Sequence, residues 1–438
     1  MSLTQSMELS AEATAEKQLI KKVAWKIMPL IMVCYLFAFF DRINISFAKF
    51  QLQADLSLSN TAYGLGASLF VIGYVIFEVP SNLLLHKFGA RKWIARIMVS
   101  WGVATALMVF VTTEWQFYVL RFLIGAMEAG FAPGVLYYMT LWFPQSYRGR
   151  IISLFFLASA FSGIFGGPIS GVLLSSLDGV MNMRGWHWLF LLGGIPCVLL
   201  GLCVLTYLKD RIDDAQWLSA SEKVHLKRLV EPKQPEKATH SLWAAIKTPG
   251  FLVLSLSYFL IQVASYGLNF WGPQLIKSSG IDDTKLIGLL TAIPYIMGAM
   301  TMVIVGRLAD RTGERLKFTV GLLSFGAIGF FTAGFFDTNP IVVVISLALL
   351  GAGIVAAIPS FWNLPPKLLV GAGAGAAGGT ALINTLGQVG GIVSPIMVGH
   401  IKDITGSTTP ALYIIASLCV VCIALLIWAT PKRLKEKG

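Results

Sequence analysis

Gly306-Arg307-Leu308-Ala309-Asp310-Arg311-Thr312-Gly313-Glu314-Arg315 is a charged stretch bounded by glycines and set between two apolar runs. Those runs cover about residues 285–306 and 317–336, each long enough to cross a bilayer as a helix. The stretch therefore reads as a tight turn between two spans. A second copy, Asn82-Leu83-Leu84-Leu85-His86-Lys87-Phe88-Gly89-Ala90-Arg91-Lys92, lies in the first half of the chain. Aligning Gly89 with Gly313, 224 residues apart, also puts Gly64-Leu65 on Gly288-Leu289, Lys87 on Arg311 and Arg91 on Arg315. His86 stands where the later copy has Asp310, which argues against an acid-based latch in the first copy. Two halves with matched turns predict one structural unit used twice.

Working outward, twelve apolar stretches appear, at about 27–47, 62–85, 93–112, 115–139, 151–176, 188–208, 250–272, 285–306, 317–336, 340–363, 377–400 and 410–430. The expected fold is an all-α membrane protein: twelve helices in two pseudo-symmetric six-helix bundles. The expected domains are a tail over 1–26, a first bundle over 27–208, a linker loop over 209–249, a second bundle over 250–430 and a tail over 431–438. Within the loop, Glu222 to Val230 has the pattern of a short amphipathic helix, and Pro232–Pro235 reads as linker. Of 438 residues, 56% are hydrophobic and 13% charged, and the mean hydropathy is +0.73. Soluble domains carry about 25% charged residues, so an ordinary soluble enzyme is excluded.

The net charge of +12 is an orientation signal. Of 34 Lys and Arg residues, 27 fall on the side of the two tails and five (Lys49, Arg184, Lys277, Lys285 and Lys402) on the other. Basic loops stay in the cytosol, so both ends are expected there, and no nucleic-acid partner is needed to explain the charge. Residues 1–20 lack a cleavable leader pattern. Cys34, Cys197, Cys203, Cys419 and Cys422 lie in apolar stretches with no zinc-ligand spacing.

Charges inside spans are costly, roughly 2.5–3.5 kcal/mol each at the centre. Here they are Asp41, Arg42, Glu78, Arg121 and Glu128. Spans one and four run in opposite directions, so Arg42 and Arg121 reach similar depths. Two guanidiniums at one depth form a fork for a carboxylate. The alternative is internal pairing, Asp41 with Arg121 or Arg42 with Glu128, that only makes insertion tolerable. Glu128 is flanked by Ala126, Ala129 and Gly130, where desolvation favours its neutral form; Asp41 is a second candidate proton carrier. Glu78 lies two residues before Pro80 and either carries a proton or bonds the backbone that Pro80 frees. Candidate ligand contacts are Tyr74, Asn44, Asn384 and the Gln262, Tyr266, Asn269 stripe of span seven, with Gln388 beside Asn384 on span eleven. Each also serves as a helix–helix hydrogen-bonding group.

These residues carry a resemblance. Gly306, Asp310, Arg311, Gly313 and Arg315 match the G-x-x-x-D-R-x-G-R-R loop of the major facilitator superfamily, with Glu314 at its first closing Arg. Phe40-Asp41-Arg42-Ile43-Asn44 and Arg121-Phe122-Leu123-Ile124-Gly125-Ala126-Met127-Glu128 resemble its anion:cation symporter branch, which holds tartrate, phthalate and sugar-acid permeases. Tyr74 to Asn82 and Trp142-Phe143-Pro144 add to the likeness, which covers about residues 20–430. It implies a proton-coupled importer of small organic anions. A six-plus-six repeat places the site between the halves, near the midplane.

The alternatives are an organic-anion exchanger, a facilitator, or a permease for an aromatic acid, for which Tyr35, Phe39, Tyr74, Tyr266 and Trp271 supply ring faces. No H-E-x-x-H or G-x-S-x-G pattern supports an enzyme. Gly373-x-Gly375-x-x-Gly378 matches a dinucleotide pattern without the strand it needs. No cofactor or metal is expected, the proton gradient is the expected energy source, and a monomer in a bacterial inner membrane is the expected form. Gly163, Gly167 and Gly171 of span five, and Gly387 and Gly391 of span eleven, are expected to let helices approach closely. His187 and His400 are read as interfacial.

Overall fold

The computed structural model describes residues 3–231, 246–247, 249–365 and 376–429. The expected tail over 431–438, the Pro232–Pro235 linker and the first half of the Gly373–Gly378 run lie outside the described residues. Among the described residues, twelve helical segments are long and apolar enough to cross a membrane. The first bundle holds α1 (Leu3–Leu56), α2 (Asn60–Phe88), α3 (Ala90–Leu107), α4 (Glu114–Glu128), α5 (Phe131–Trp142), α6 (Gln145–Ser176) and α7 (Gly185–Tyr207). A short α8 (Ala220–Val230) follows. The second bundle holds α9 (Pro249–Ser278), α10 (Thr284–Leu290), α11 (Ala292–Thr312), α12 (Arg315–Phe335), α13 (Pro340–Leu350), α14 (Ala356–Phe361), α15 (Ala376–Thr405) and α16 (Thr409–Ala429). Large apolar side chains such as Phe165, Ile169 and Val172 on α6 are exposed. That face suits lipid and would be a liability in water.

Spans four, eight and ten are broken, which hydropathy alone does not resolve. Span four is α4 plus α5, parted at Ala129 and Gly130. Gly130 takes φ +87°, and a Cβ there would meet Ser81 Oγ at 2.4 Å. Only glycine fits both the backbone and the space. The break makes Glu128 the last residue of α4. Span ten carries a π-helical turn, Gly351–Val355, between α13 and α14. Span one extends well past its apolar core, since α1 has 54 residues.

Helix ends follow local chemistry. Ser59 accepts from Ala62 N at the start of α2, and Thr113 with Gln116 forms a capping box on α4. The turn glycines Gly89 (φ +89°) and Gly313 (φ +73°) end α2 and α11. Helix α8 starts on a Ser219–Glu222 capping box and is tied to α1 by Lys22 Nζ, 2.8 Å from Glu222 Oε1. The Lys22 hydrogen bond holds Glu222 below the usual carboxylate range. A carboxyl lowered on folding stabilises above its unfolded pKa and loses that contribution as pH falls through its folded value. Acid below about pH 4 should therefore release α8. Limited proteolysis of the loop against pH checks this, and Lys22→Gln should show the faster cleavage already at pH 7.

The side where α1 ends and α2 begins is here the distal side; the opposite one is proximal. The bundles meet distally through α2 with α15, α6 with α10 and α11, and α1 with α9. A Cβ on Gly64 would lie 2.3 Å from Pro395 O of α15, and one on Gly288 would lie 2.5 Å from Gly167 O of α6. Gly64 and Gly288 are equivalent in the sequence repeat, and each presses on a backbone carbonyl of the opposite bundle. The expected close approach of Gly163, Gly167 and Gly171 is present, against Tyr295, Thr291 and Thr284. Gly387 and Gly391 pack instead on Tyr258 and Tyr266 within their own bundle. At the distal rim Asp403 of α15 accepts from Asn60 N (3.0 Å), Asn60 Nδ2 (2.9 Å), Thr61 N (2.7 Å) and Thr61 Oγ1 (2.6 Å). One carboxylate of the second bundle thus caps the N-terminus of a helix in the first.

Candidate functional site

The buried charges of the first bundle gather around Phe70. Arg42 Nε donates to Glu128 Oε1 at 2.7 Å, and its Nη2 is 2.6 Å from the same oxygen. Glu128 is buried, and its Oε2 has no donor. The Arg42 side chain keeps 26% of its exposure. Arg121 is buried, its Nε is 3.4 Å from Gly66 O, and its Nη2 has no partner. The guanidinium carbons of Arg42 and Arg121 lie 5.6 and 4.9 Å from the Phe70 ring centroid, and Arg42 lies 4.9 Å from that of Tyr74. The two arginines are therefore neighbours across one ring, as their depths suggested. Of the two internal pairings considered, Arg42 with Glu128 forms.

Asp41 points the other way. It accepts from Trp101 Nε1 (2.9 Å), Thr105 Oγ1 (3.0 Å) and Asn44 Nδ2 (3.2 Å). Asn44 corrects an expectation. It is fully buried between α1 and α7, and a Cβ on Gly193 would sit 3.2 Å from its Nδ2. One helical turn from Asp41, it serves that carboxylate and does not line the cavity. Glu78 is half-buried with no side-chain hydrogen bond among the described residues, and it is Asn82 that donates to the Glu78 backbone carbonyl, at 3.0 Å.

In the second bundle, Tyr266 Oη donates to Gln388 Oε1 at 3.0 Å, and Gln262 Nε2 is 3.4 Å from the same atom. The polar stripe of span seven thus turns onto span eleven. Asn384, one turn from Gln388 on α15, is half-buried. Asn269 accepts from Tyr295 Oη at 2.6 Å and lines a small inter-bundle pocket with Ser46, Thr291 and Gly167. Tyr295 was not expected; its apolar surroundings in span eight gave no signal.

Lys49 is the largest departure. Its place near the end of span one reads as a rim charge, yet it is fully buried. Its Nζ is 3.6 Å from the Trp271 ring centroid, 5.1 Å from that of Tyr63 and 3.2 Å from Gln274 Oε1.

On the proximal side, Gly313 closes α11 and Arg315 Nη1 donates to Asn363 Oδ1 at 2.9 Å. A Cβ on Gly306 would meet open space, and Arg311 is exposed; the side chain of Asp310 lies outside the described part. In the first bundle the acid missing at His86 comes from elsewhere. Asp210, after α7, accepts from Arg91 N at 2.8 Å at the start of α3 and lies 3.5 Å from Arg91 Nε. His187 Nδ1 accepts from Arg184 N at 3.2 Å at the start of α7.

Residues 31–395 match the sequence model of the Major Facilitator Superfamily. A Pseudomonas putida protein named as a metabolite transporter, NicT, is 42% identical, covering 96% of each chain. An Agrobacterium vitis protein named for tartrate transport is 42% identical over 97% of each. A quinolone resistance transporter of Acinetobacter baumannii is 40% identical over 96% of this chain and 98% of its own. Among solved structures, a D-xylose–proton symporter superposes with a TM-score of 0.73 at 17% identity, covering 94% of this chain and 99% of its own.

Proposed function

The chain belongs to the major facilitator superfamily, and from that premise we propose that it imports a small organic anion, a sugar acid or hydroxycarboxylate, together with protons by alternating access. The carrying observation is the asymmetry of the Arg42–Glu128 pair. Arg42 holds one oxygen of Glu128 with two nitrogens, and the other oxygen has no donor. A buried carboxylate whose second oxygen lacks a donor keeps a place for a proton. Protonation removes the counter-charge from Arg42 and leaves its fork, with the unpartnered Nη2 of Arg121, for a substrate carboxylate.

The cycle runs as follows. With the bundles parted distally, Glu128 takes a proton and the two arginines take the anion. The distal seam closes, the anion leaves proximally, Glu128 deprotonates, and Arg42 pairs with it again. The described arrangement, distally closed and paired, corresponds to the emptied carrier. The excess of basic residues on the proximal side supports a cytosolic position for that side, and a bacterial inner membrane is the proposed location. Asp41, saturated by three donors inside its own bundle, is assigned to fixing α1 against α3; Glu128 is the principal proton carrier and Glu78 a secondary one. Tyr74, beside Arg42, is assigned to flank the anion, and Tyr266, Gln262, Asn269 and Asn384 are assigned to contact it from the second bundle.

The relative named for tartrate transport supports the hydroxycarboxylate class. An aromatic acid is the second reading, favoured by the Tyr74 ring beside Arg42 and by the relative named for quinolone resistance. Purified protein in liposomes, with a pH dye and a panel of tartrate, galactonate, glucuronate, phthalate and hydroxyphenylacetate, tests this. External alkalinisation with one acid supports symport; exchange of a preloaded acid without proton movement makes the chain an exchanger.

The Asp403 clamp should bias the cycle. A carboxylate at an exposed helix N-terminus contributes about 0.3–1 kcal/mol. Asp403→Asn should therefore raise the distal-open fraction about two- to fivefold. Spin labels at Ser57 and Ile404 read this as growth of a longer distance population; an unchanged distribution would remove Asp403 from gating.

A further inference from the structure

Lys49 is a buried cation that the proposed cycle does not use. It has no ion pair with an acid among the described residues, only two ring faces and an amide oxygen. Cation–π contact offsets only part of the desolvation. A side chain such as Met would fill the same cage without any desolvation cost. The cage is also divided: Lys49 and Tyr63 belong to the first bundle, Trp271 and Gln274 to the second. Distal separation of the bundles must take it apart.

The charges nearest Lys49 are two further lysines and one acid. Lys277 of α9, 4.2 Å from the Phe50 ring, and Lys402 of α15 act on Lys49, and the acid acting on it is Asp403. Asp403 already spends its two oxygens on four donors of α2. Arg184, another basic residue of the distal side, is held by Asp55 at 3.4 Å and Asp178 at 3.6 Å. Asp283, another acid of the seam, is used as the cap of α10, accepting from Lys285 N at 2.9 Å, so the lysines nearest Lys49 face one committed carboxylate. Lys49 also lies seven residues from Arg42, two helical turns or roughly 10 Å distal on the same face of α1. Ser46, which lines the inter-bundle pocket, falls between them.

We propose that Lys49 is the entry residue for the anion: in the distal-open carrier its ammonium, supported by Lys277 and Lys402, receives a carboxylate and hands it inward to Arg42. When the seam closes, the emptied ammonium is stowed against Trp271. The site thus has a one-sided role, serving arrival from the distal face alone. This inference rests on the organic-anion reading above.

The test compares directions. The full chain is reconstituted in one orientation, and the half-saturating concentration of the best acid of the panel is measured for influx from the distal face and for efflux from the proximal face. Lys49→Gln should raise the influx KM about tenfold, the loss of one charge-assisted hydrogen bond. It should also weaken the dependence of influx on ionic strength, as loss of a steering charge does. Efflux KM should stay within about twofold, and Lys49→Arg should restore influx. Lys402→Gln, at a half-buried site, should act in the same direction and serves if Lys49→Gln does not fold. Unchanged influx KM, or an equal rise in both directions, overturns the inference while leaving the functional reading in place. A parent protein that moves no acid of the panel overturns both.

Discussion

Glu128→Gln is expected to leave a carrier that still exchanges one anion for another but no longer concentrates it under a proton gradient. The amide keeps the shape of the carboxyl and an oxygen to accept from Arg42, so the bundle should hold. It cannot ionise, so nothing in the site distinguishes the two proton conditions. With one coupled proton, a gradient of one pH unit supports about tenfold accumulation in the parent; the variant should reach none. Arg42, deprived of a full counter-charge, should bind substrate at least as well. Labelled-acid uptake under an imposed pH step, followed by counterflow from preloaded vesicles, separates the two activities. Sustained accumulation by the variant would take Glu128 out of coupling and leave its contact with Arg42 as a structural pair.

Arg121→Lys should be nearly as severe in a different way. Arg121 is 1% exposed, reaches Gly66 O, flanks Phe70 and keeps Nη2 without an acceptor. Lysine retains the charge but not the planar fork, and its point charge cannot meet a backbone carbonyl and a carboxylate together. A fall in kcat/KM on the order of a hundredfold is expected, carried mainly by KM, with a normal size-exclusion profile. A variant transporting at near the parent rate would assign Arg121 to packing alone.

Much of this architecture was legible in the residues, and the reasons differ by feature. Spans are visible because twenty apolar residues have one stable fate in lipid. The repeat is visible because turns need glycine at fixed places, as at Gly89 and Gly313. The charged cluster is visible because intramembrane Arg42, Arg121 and Glu128 are costly and therefore stand out. Direction within a helix is not visible in hydropathy. Asn44 and Asp41 lie on the same turn region as Arg42, yet face α3 and α7 while Arg42 faces the cavity. Lys49 was read as a rim charge because its partner Trp271 belongs to the other bundle; the available hint was its setting between Phe47-Ala48 and Phe50. The break at Gly130 was signalled only by Ala129-Gly130 and Pro133, a pattern that an unbroken membrane helix also tolerates.

The seam where Gly64 meets Pro395 O and Gly288 meets Gly167 O is made of main chain on main chain. A joint of that kind has no rotamers to adjust and no charge to titrate, so its fit is set by chain geometry and not by pH or salt. Regulation of the closed state must then fall to the rim, where Asp403 and the lysines act. The same division separates two kinds of heritable change. Substitutions at the rim grade the balance between states, whereas a single methyl at either seam glycine wedges the halves apart. Because the repeat carries that vulnerability twice, the two seam glycines should tolerate no side chain, though both lie well away from the Arg42–Glu128 pair.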